Sequence, residues 1–313
     1  MSKSQAISTF IKTFSIVIVF LAISIFFTFA NEYFLTWDNL LNLLRQSSIN
    51  GILAIGMTFV ILIKGIDLSV GSMMALSGMV AGSLATTTNP HFVLLPILAG
   101  LATGAALGLF NGVIVAGINV PPFVVTLGML SMARGLTLIF SDGRPIANLS
   151  QPFRWLGGGN LFGLPVPVLI LFFVFLIGWV VLSYTTFGRY VYAVGGNEKA
   201  ARTSGVSTRI VTASTYVISG LLAGLAGLVL AARTTAALPQ AGIGYELDAI
   251  AAVVIGGTSL AGGRGSLVGT LFGALIIGTI NNGMDLMGVS SYYQQLLKGA
   301  IIVAAVIADR FRK

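Results

Sequence analysis

The sequence predicts an all-α fold, a polytopic transmembrane helical bundle, and three properties of the composition lead to that prediction. Of the 313 residues, 56% are hydrophobic and only 8% are charged, whereas a soluble domain carries about 25% charged residues. The mean hydropathy of the chain is +0.97. Glycine occurs 39 times, and small residues let membrane helices pack closely. Residues 1–313 are therefore expected to form a single transmembrane domain.

The composition also excludes several kinds of site. The chain contains no cysteine, which rules out disulfides and thiolate metal ligands. Its one histidine, His91, follows Pro90 in a polar break and is predicted to be a loop residue, so a catalytic zinc site is not expected. The net charge is +8, but the basic residues stand singly between apolar runs. That distribution is typical of loops that anchor a chain in membrane lipid and not of a nucleic-acid interface.

Apolar runs predict about ten membrane-spanning helices, because a helix needs about 20 residues to cross the hydrocarbon core. The first run follows Lys3 and Lys12, and this arrangement is also compatible with a cleaved signal peptide. Several runs are shorter than a full crossing, so counts of roughly eight to eleven fit the same sequence. The predicted spans lie near residues 14–30, 47–63, 72–87, 92–116, 123–140, 165–183, 210–231, 247–257, 266–282 and 293–308.

The distribution of positive charge predicts the orientation of the spans, since cytoplasmic loops are enriched in lysine and arginine. With both termini in the cytoplasm, most basic residues fall in cytoplasmic segments and most acidic residues fall outside. The reverse orientation violates the rule. The basic residues expected in the cytoplasm are Lys3, Lys12, Lys64, Arg189, Lys199, Arg202, Arg209, Arg264, Arg310, Arg312 and Lys313.

The longest polar segment that is predicted to be cytoplasmic runs from residue 184 to residue 209. Within it, Asn197 suits the N-cap of a helix, Glu198 suits the first turn, and Gly205 suits a left-handed C-terminal stop. These residues predict a short amphipathic helix that lies outside the membrane. Such a helix is either a solvated connector or a docking element for a cytoplasmic partner, and the residue pattern leaves both interpretations open.

Two glycine-rich turns resemble each other, and each opens into a helix of small residues. The first turn is residues 65–72, with the sequence Gly-Ile-Asp-Leu-Ser-Val-Gly-Ser, and the second is residues 257–266. In the predicted topology both turns lie at the cytoplasmic side, and internal duplication is common in transporters. Asp67, Ser69 and Gly71 are therefore candidates for a gate or for a structural turn.

Three separated motifs resemble the permease subunits of ATP-binding-cassette sugar importers, a family that includes ribose, xylose, arabinose and galactose permeases. The motifs are residues 65–72, residues 188–205 and residues 244–265, in the order that the family has them. The stretch 288–294, Gly-Val-Ser-Ser-Tyr-Tyr-Gln, is similar to the ribose branch in particular. The resemblance extends from about residue 36 to residue 308.

This resemblance implies a fold like that of a type II importer permease, in the bacterial inner membrane, and a set of partners. The partners would be a second copy of the chain in a homodimer, a cytoplasmic ATPase and a periplasmic sugar-binding protein. The coupling helix seated in the ATPase would carry Asn197, Glu198, Ala201, Arg202 and Gly205. The outer loops that meet the binding protein would carry four charges that are expected to be exposed, each also compatible with a headgroup anchor: Arg144, Arg154, Arg233 and Glu246.

Polar side chains within the spans are candidates for the pathway of a neutral sugar, which needs hydroxyl and amide partners. Each of them can instead bond to a neighbouring helix. Arg134 is expected to have a partner in the bundle, Lys298 to have such a partner or to reach the membrane surface, and Asp248 to cap the short span that it opens. The pathway candidates are Asn50, Thr58, Thr126 and Asn281.

Together these observations predict the transmembrane subunit of an importer that moves a monosaccharide, with D-ribose favoured, by alternating access. The sequence contains no Gly-x-x-x-x-Gly-Lys-Ser/Thr loop, so ATP and magnesium would bind to the partner ATPase, and this chain is expected to have no cofactor and no enzymatic activity. Other cargoes stay open, namely xylose, arabinose, galactose, autoinducer-2 or a nucleoside.

The main alternative mechanism is a secondary sugar or amino-acid transporter. Such transporters usually couple to protons or sodium through membrane-embedded carboxylates. The sequence places every carboxylate at or near a predicted membrane edge, which argues against this alternative.

Overall fold

The computed structural model describes residues 3–88 and 92–311, so the predicted loop residue His91 lies outside the described residues. Within these ranges the chain forms thirteen helices and one short antiparallel hairpin. The hairpin pairs β1 (Asn160–Leu161) with β2 (Leu164–Pro165). The helices are α1 (Lys3–Ala30), α2 (Trp37–Leu62), α3 (Val70–Leu84), α4 (Leu94–Ile118), α5 (Pro122–Ser141), α6 (Gln151–Gly158), α7 (Val166–Tyr184), α8 (Thr186–Gly196), α9 (Glu198–Thr203), α10 (Thr208–Arg233), α11 (Tyr245–Ile255), α12 (Leu267–Leu286) and α13 (Ser291–Phe311).

Every predicted span overlaps a helix, which confirms an all-helical polytopic bundle. Among the described residues, six helices are long and apolar enough to cross a membrane, namely α2, α4, α5, α7, α10 and α12. The apolar part of α1 and the whole of α3 are shorter. Helix α11 has 11 residues, about 16 Å of helix, which is half of the hydrocarbon thickness. The sequence thus predicted about ten crossings, whereas six of the described helices are long and apolar enough for a full crossing.

Helices α2 and α10 form the centre of the bundle. Helix α2 packs against α7, α10, α11 and α12, and helix α10 packs against α2, α3, α4 and α6. Helix α2 begins at Trp37, about ten residues before the predicted span, because residues 37–46 are also helical and bury Asn39 and Leu43 in the bundle. By contrast, α5 and α7 leave large apolar side chains such as Ile139 and Ile177 exposed, as expected for helices that face lipid.

Helices α4 and α10 pack through glycine. A Cβ atom added at Gly104 would overlap the carbonyl oxygen of Gly220, and one added at Gly108 would overlap the carbonyl oxygen of Tyr216. The two backbones therefore touch without intervening side chains, which maximises van der Waals contact where no hydrophobic effect acts between helices. Glycine recurs at every fourth position of α4, at Gly100, Gly104, Gly108 and Gly112.

The loops at the end of the bundle where α3 and α10 finish are tied to each other. Thr86 forms an isolated bridge with Leu149, and Ile146 forms another with Ala237. Phe153 on α6 is fully buried beneath these loops. The loop 142–150 is therefore a packed cover over α3 and α10.

Candidate functional site

The polar segment 184–209 contains two helices, α8 and α9, where the sequence predicted one. The predicted cap of α9 is present, since the Oδ1 atom of Asn197 accepts a hydrogen bond of 3.0 Å from the amide of Ala200. Asn197 also ends α8, so a single residue joins the two helices. Gly205 has the predicted left-handed conformation, with φ of +86°. Helix α8 was not predicted, and its buried face consists of Gly188, Val191, Val194 and Gly195.

Helix α9 presents charged side chains to its surroundings and one small residue to the bundle. Glu198 and Arg202 are exposed, while Ala201 is buried with 5% exposure. In the described part of the chain, the ion pairs are Arg144 with Asp142 and Lys298 with Asp248. Glu198 and Arg202 thus form no ion pair with each other, which leaves both free for a partner.

A cavity of about 320 Å³ lies beside α9. Its lining includes Lys64, Asn119, Glu198 and Arg209. It lies where the turn after α2, the turn between α4 and α5, and the start of α10 meet. The charged side chains around it make this end of the bundle a hydrophilic surface.

The turn after α2 folds into the bundle and places the carboxylate of Asp67 among hydroxyl groups. Its Oδ1 atom accepts from the amide and the hydroxyl of Ser69 at 3.0 and 2.5 Å, and its Oδ2 atom accepts from the hydroxyl of Ser219 at 2.9 Å. The Nδ2 atom of Asn111 donates to the Ser69 hydroxyl at 3.0 Å. These bonds join the start of α3 to α4 and α10, which fits the structural-turn interpretation of Asp67 and Ser69.

Sequence reasoning missed two members of this cluster. Ser219 is one of many small residues on an apolar helix, so nothing local distinguishes it. Tyr216 is fully buried, and within the described ranges its hydroxyl has no hydrogen-bond partner. A Cβ atom added at Gly65 would lie 2.6 Å from this hydroxyl, so Tyr216 fills the space beneath the turn. Gly71 also allows a close approach, because a Cβ atom there would overlap the carbonyl oxygen of Gly242.

Asp248 forms an ion pair and does not cap α11 with its side chain, contrary to the sequence prediction. Its Oδ2 atom lies 2.9 Å from Nζ of Lys298, and Nδ2 of Asn281 donates to the same oxygen at 3.4 Å. Lys298 therefore has a partner in the bundle. The three side chains connect α11, α12 and α13. Asp67 and Asp248 are both buried inside the protein, but burial does not measure depth in a membrane, so their expected position near a membrane edge stays a prediction.

The other pathway candidates are also buried between helices. The Thr58 hydroxyl bonds to the hydroxyl of Thr270 at 2.8 Å, and the Thr126 hydroxyl donates to the carbonyl of Ile66 at 3.2 Å. Asn50 is 2% exposed, and its Oδ1 atom has no partner among the described residues. Thr58 thus connects α2 to α12, and Thr126 connects α5 to the turn after α2, so a pathway role for these candidates stays a prediction.

The predicted outer charges differ in their surroundings. Arg144 and Arg154 are exposed as expected, whereas Arg233 and Glu246 are half-buried, so the expectation of exposure is wrong for these two. Glu246 is half-buried because Gly71 packs beside its carboxylate. Arg134 has the expected partners in the bundle, since its Nη1 atom donates to the carbonyls of Pro239 and Ala241 at 2.6 and 2.9 Å.

A second glycine-rich segment, residues 256–266, joins α11 to α12 and touches α8. We call it the glycine-rich loop. The hydroxyl of Tyr192 donates to the carbonyl of Gly265 at 2.9 Å, and burial raises the pKa of the Tyr192 phenol. The amide of Gly263 donates to the carbonyl of Leu62 at 2.8 Å. The two resembling turns therefore lie at the same end of the bundle, beside α8 and α9.

The described residues contain no group of three or more histidine, cysteine, aspartate or glutamate side chains that could hold a metal ion. The candidate sites instead consist of a helical projection at one end, a packed cover at the other, and neutral or paired polar groups between them. This arrangement is typical of a membrane transport permease.

Comparison with known sequences identifies the family. Residues 39–306 match the family described as the branched-chain amino acid transport system permease component. The chain belongs to this family. It is a multi-pass membrane protein and the permease component of an ATP-binding-cassette transporter, without a catalytic role.

Several relatives cover nearly the whole chain. The ribose import permease protein RbsC of Haemophilus influenzae is 46% identical over 304 residues, which are 96% of this chain and 93% of the relative. The protein of the same name from Bacillus subtilis is 49% identical over 309 residues, 98% and 93% of the two chains. The D-allose transport system permease protein AlsC of Escherichia coli is 42% identical over 293 residues, 94% and 90% of the two chains. No solved structure matches the chain.

Proposed function

We propose that this protein is the transmembrane subunit of an ATP-driven importer for D-ribose. The observation that carries the proposal is identity of 46% and 49% with the ribose import permease proteins of Haemophilus influenzae and Bacillus subtilis, over nearly the full length. The allose permease at 42% identity makes another monosaccharide the second candidate cargo. A neutral sugar suits a bundle whose interior polar groups are mostly hydroxyls and amides.

We infer that ten helices cross the membrane, with both termini in the cytoplasm. The ten are the six long apolar helices together with α1, α3, α11 and α13. Support comes from the charged residues of the α8–α9 end, where Lys64, Arg189, Lys199, Arg202, Arg209 and Arg264 are exposed. Such an excess of lysine and arginine is expected on the cytoplasmic side.

The cytoplasmic ATPase docks on α9 in this proposal. Asn197 caps the helix, Gly205 ends it, Ala201 fixes it to the bundle, and Glu198 and Arg202 contact the ATPase. The exposure of the two charged side chains and their lack of a mutual ion pair support these roles. Alternating access follows when closure of two ATPase subunits moves two copies of α9.

A sugar-binding protein docks at the opposite end, on the packed cover (residues 142–150), on α6 and on the loop between α10 and α11. Arg144 and Arg154 are the exposed charges of this surface, whereas the half-buried Arg233 and Glu246 contribute mainly to its shape. Two copies of the chain form the importer, and the sugar passes between them. Asp67, Ser69 and Gly71 set the start of α3 in each copy, and the pathway candidate Thr126 bonds to the carbonyl of Ile66 in the same turn.

Reconstitution tests the proposal. The permease is placed in liposomes with its ATPase and binding protein, and uptake of labelled ribose and allose is measured with and without ATP. We expect ATP-dependent uptake of ribose at the higher rate. The permease carrying Arg202→Glu should take up little sugar, and Arg154→Glu, on an exposed arginine at the other end, should leave ATPase docking unchanged in a pull-down.

Two results would contradict the proposal. Uptake by the permease alone, abolished when the proton gradient is dissipated, would identify a secondary transporter that uses a buried carboxylate such as Asp67 or Asp248. Faster ATP-dependent uptake of allose than of ribose would retain the importer and change its cargo.

A further inference from the structure

We propose that the glycine-rich loop, residues 256–266, transmits movement of α8 and α9 to α11 and α12, with Tyr192 and Gly195 as positioning residues. This proposal rests on the proposed function, because it concerns how an ATPase bound at α9 would act on the spans. It adds a second route into the bundle besides the chain connection from α9 to α10.

The loop has a fixed backbone shape. Gly257, Gly262 and Gly263 have φ values of +87°, +77° and +71°, a region that residues with a side chain adopt at a cost in strain. The amide of Ser259 donates to the carbonyl of Arg264 at 2.9 Å across the loop. A loop closed in this way moves as a unit when one of its sides is displaced.

The end of α8 lies against this loop with no side chain between them. A Cβ atom at Gly195 would overlap the carbonyl oxygen of Leu62 and lie 2.6 Å from the amide nitrogen of Gly263. Backbones in direct contact have no rotamers to absorb a displacement, and packed interiors transmit strain. A shift of α8 must therefore displace either the end of α2 or the loop.

Two hydrogen bonds hold the same contact. The Tyr192 hydroxyl donates to the carbonyl of Gly265 at 2.9 Å, and Nζ of Lys64 lies 3.4 Å from the carbonyl of Gly196. The bond from Tyr192 matters more for transmission, because Gly265 directly precedes Ser266, the N-cap of α12. The Ser266 hydroxyl accepts a hydrogen bond from the amide of Gly269 at 3.1 Å. Pulling on α8 thus pulls on the start of α12.

The loop is also continuous with α11. The amide of Thr258 donates to the carbonyl of Val253 at 3.1 Å, so the first residues of the loop prolong the end of α11. Helix α11 in turn holds α13 through the ion pair of Asp248 with Lys298. Displacement of the loop therefore reaches α11, α12 and α13, although none of these helices is directly connected to α9 in the chain.

Two substitutions with matched controls on α8 test the proposal in the complete reconstituted importer. Tyr192→Phe removes the bond to Gly265, whereas Tyr190→Phe removes an exposed hydroxyl. Gly195→Ala inserts a methyl group between α8 and Leu62, whereas a Cβ atom at Gly196 meets nothing within 4 Å, so Gly196→Ala is its control. The measured quantity is sugar transported per ATP hydrolysed, with ATPase assembly checked by pull-down.

For Tyr192→Phe we expect the transported sugar per ATP to fall about fivefold, as for the loss of one hydrogen bond, with ATPase assembly unchanged. Gly195→Ala should lower the same ratio further, and both controls should match the wild type. If Tyr192→Phe transports as much sugar per ATP hydrolysed as the wild type, the proposal is overturned. That conclusion holds even if the rate of sugar uptake and the rate of ATP hydrolysis both fall. Failure of the proposed function is distinguishable, because the wild-type importer would then show no ATP-dependent uptake.

Discussion

Single polar residues in this bundle are held by partners that are distant in the sequence. Ser219 donates to Asp67 across 152 positions, and Lys298 pairs with Asp248 across 50. A buried charge without a partner is costly in free energy. These contacts therefore determine which helices can be neighbours. Removing one partner of a buried pair should lower the stability of the protein more than replacing both partners.

Removal of Lys298 alone should destabilise the protein strongly. Lys298→Met leaves the Asp248 carboxylate buried and unpaired, so we expect a loss of about 3–5 kcal/mol in the free energy of unfolding. The double variant Asp248→Asn, Lys298→Met should recover most of that loss. Unfolding of the detergent-solubilised protein measures both.

The exposed pair Arg144–Asp142, at 3.9 Å, provides the control for this experiment. Arg144→Ala should change the free energy of unfolding by less than about 1 kcal/mol. If Lys298→Met and Arg144→Ala lowered the free energy of unfolding equally, the buried pair would contribute no more to stability than the exposed pair.

Loss of the cap of α9 should weaken docking of the ATPase. Asn197→Ala removes the acceptor for the Ala200 amide, at a cost of about 1 kcal/mol to the helix. We expect about fivefold weaker binding of the ATPase in a pull-down titration. Asn197→Asp keeps an acceptor at the N-cap and should bind normally; if both variants bind equally well, the order of α9 does not control docking.

The sequence predicted the cap at Asn197 because capping is local, involving residues three positions apart. The partners of Asp67 could not be predicted in the same way. Ser219 and Asn111 reach it only through the packing of α4 and α10 against α3, and an apolar helix with several small or polar residues offers no signal that selects one of them. The half-burial of Arg233 was missed as well, because it arises where α6 packs against the end of α10 and Gly157 approaches the backbone of Arg233.

At the level of helices, glycine determines how close neighbours can lie. The face of α4 that carries Gly104 and Gly108 contacts the backbone of α10 directly. Gly117 is on the same helix, but a Cβ atom there would meet nothing within 4 Å. One helix thus contains glycines that packing requires and a glycine that it does not.

Alanine at these positions should have opposite effects. Gly108→Ala would push α10 away and should lower thermal stability by several degrees, since overpacking costs about 1–3 kcal/mol. Gly117→Ala should be neutral or stabilising by up to about 1 kcal/mol, because alanine favours a helix more than glycine does. Thermal unfolding of the two variants in detergent compares them, and a destabilised Gly117→Ala would contradict this account.

Helix α8 shows what periodicity alone cannot reveal. Its sequence contains three glycines and several β-branched or aromatic residues, which are weak helix formers. The helix is stable because its face of Gly188, Val191, Val194 and Gly195 is buried against the bundle. The six long apolar helices, in contrast, were identifiable because long apolar runs have no other stable conformation in lipid.

For the molecule as a whole, the arrangement in the membrane is open to direct measurement because the chain has no cysteine of its own. Lys199→Cys and Arg154→Cys introduce single thiols at exposed positions on α9 and α6. A membrane-impermeant maleimide should label the thiol at position 154 in intact spheroplasts. It should label the thiol at position 199 only after permeabilisation, and labelling of that position in intact spheroplasts would reverse the topology.

The inward fold of the turn at Asp67 has a consequence for how the chain is assembled. The carboxylate depends on a hydroxyl from α10, a helix that the ribosome makes about 150 residues later, so α2 and α3 cannot settle as an independent hairpin when they enter the lipid. We expect the early part of the protein to wait, incompletely ordered and exposed to membrane proteases, until synthesis has passed residue 233. Nascent chains that stop before α10 should therefore be degraded faster than those that stop just after it.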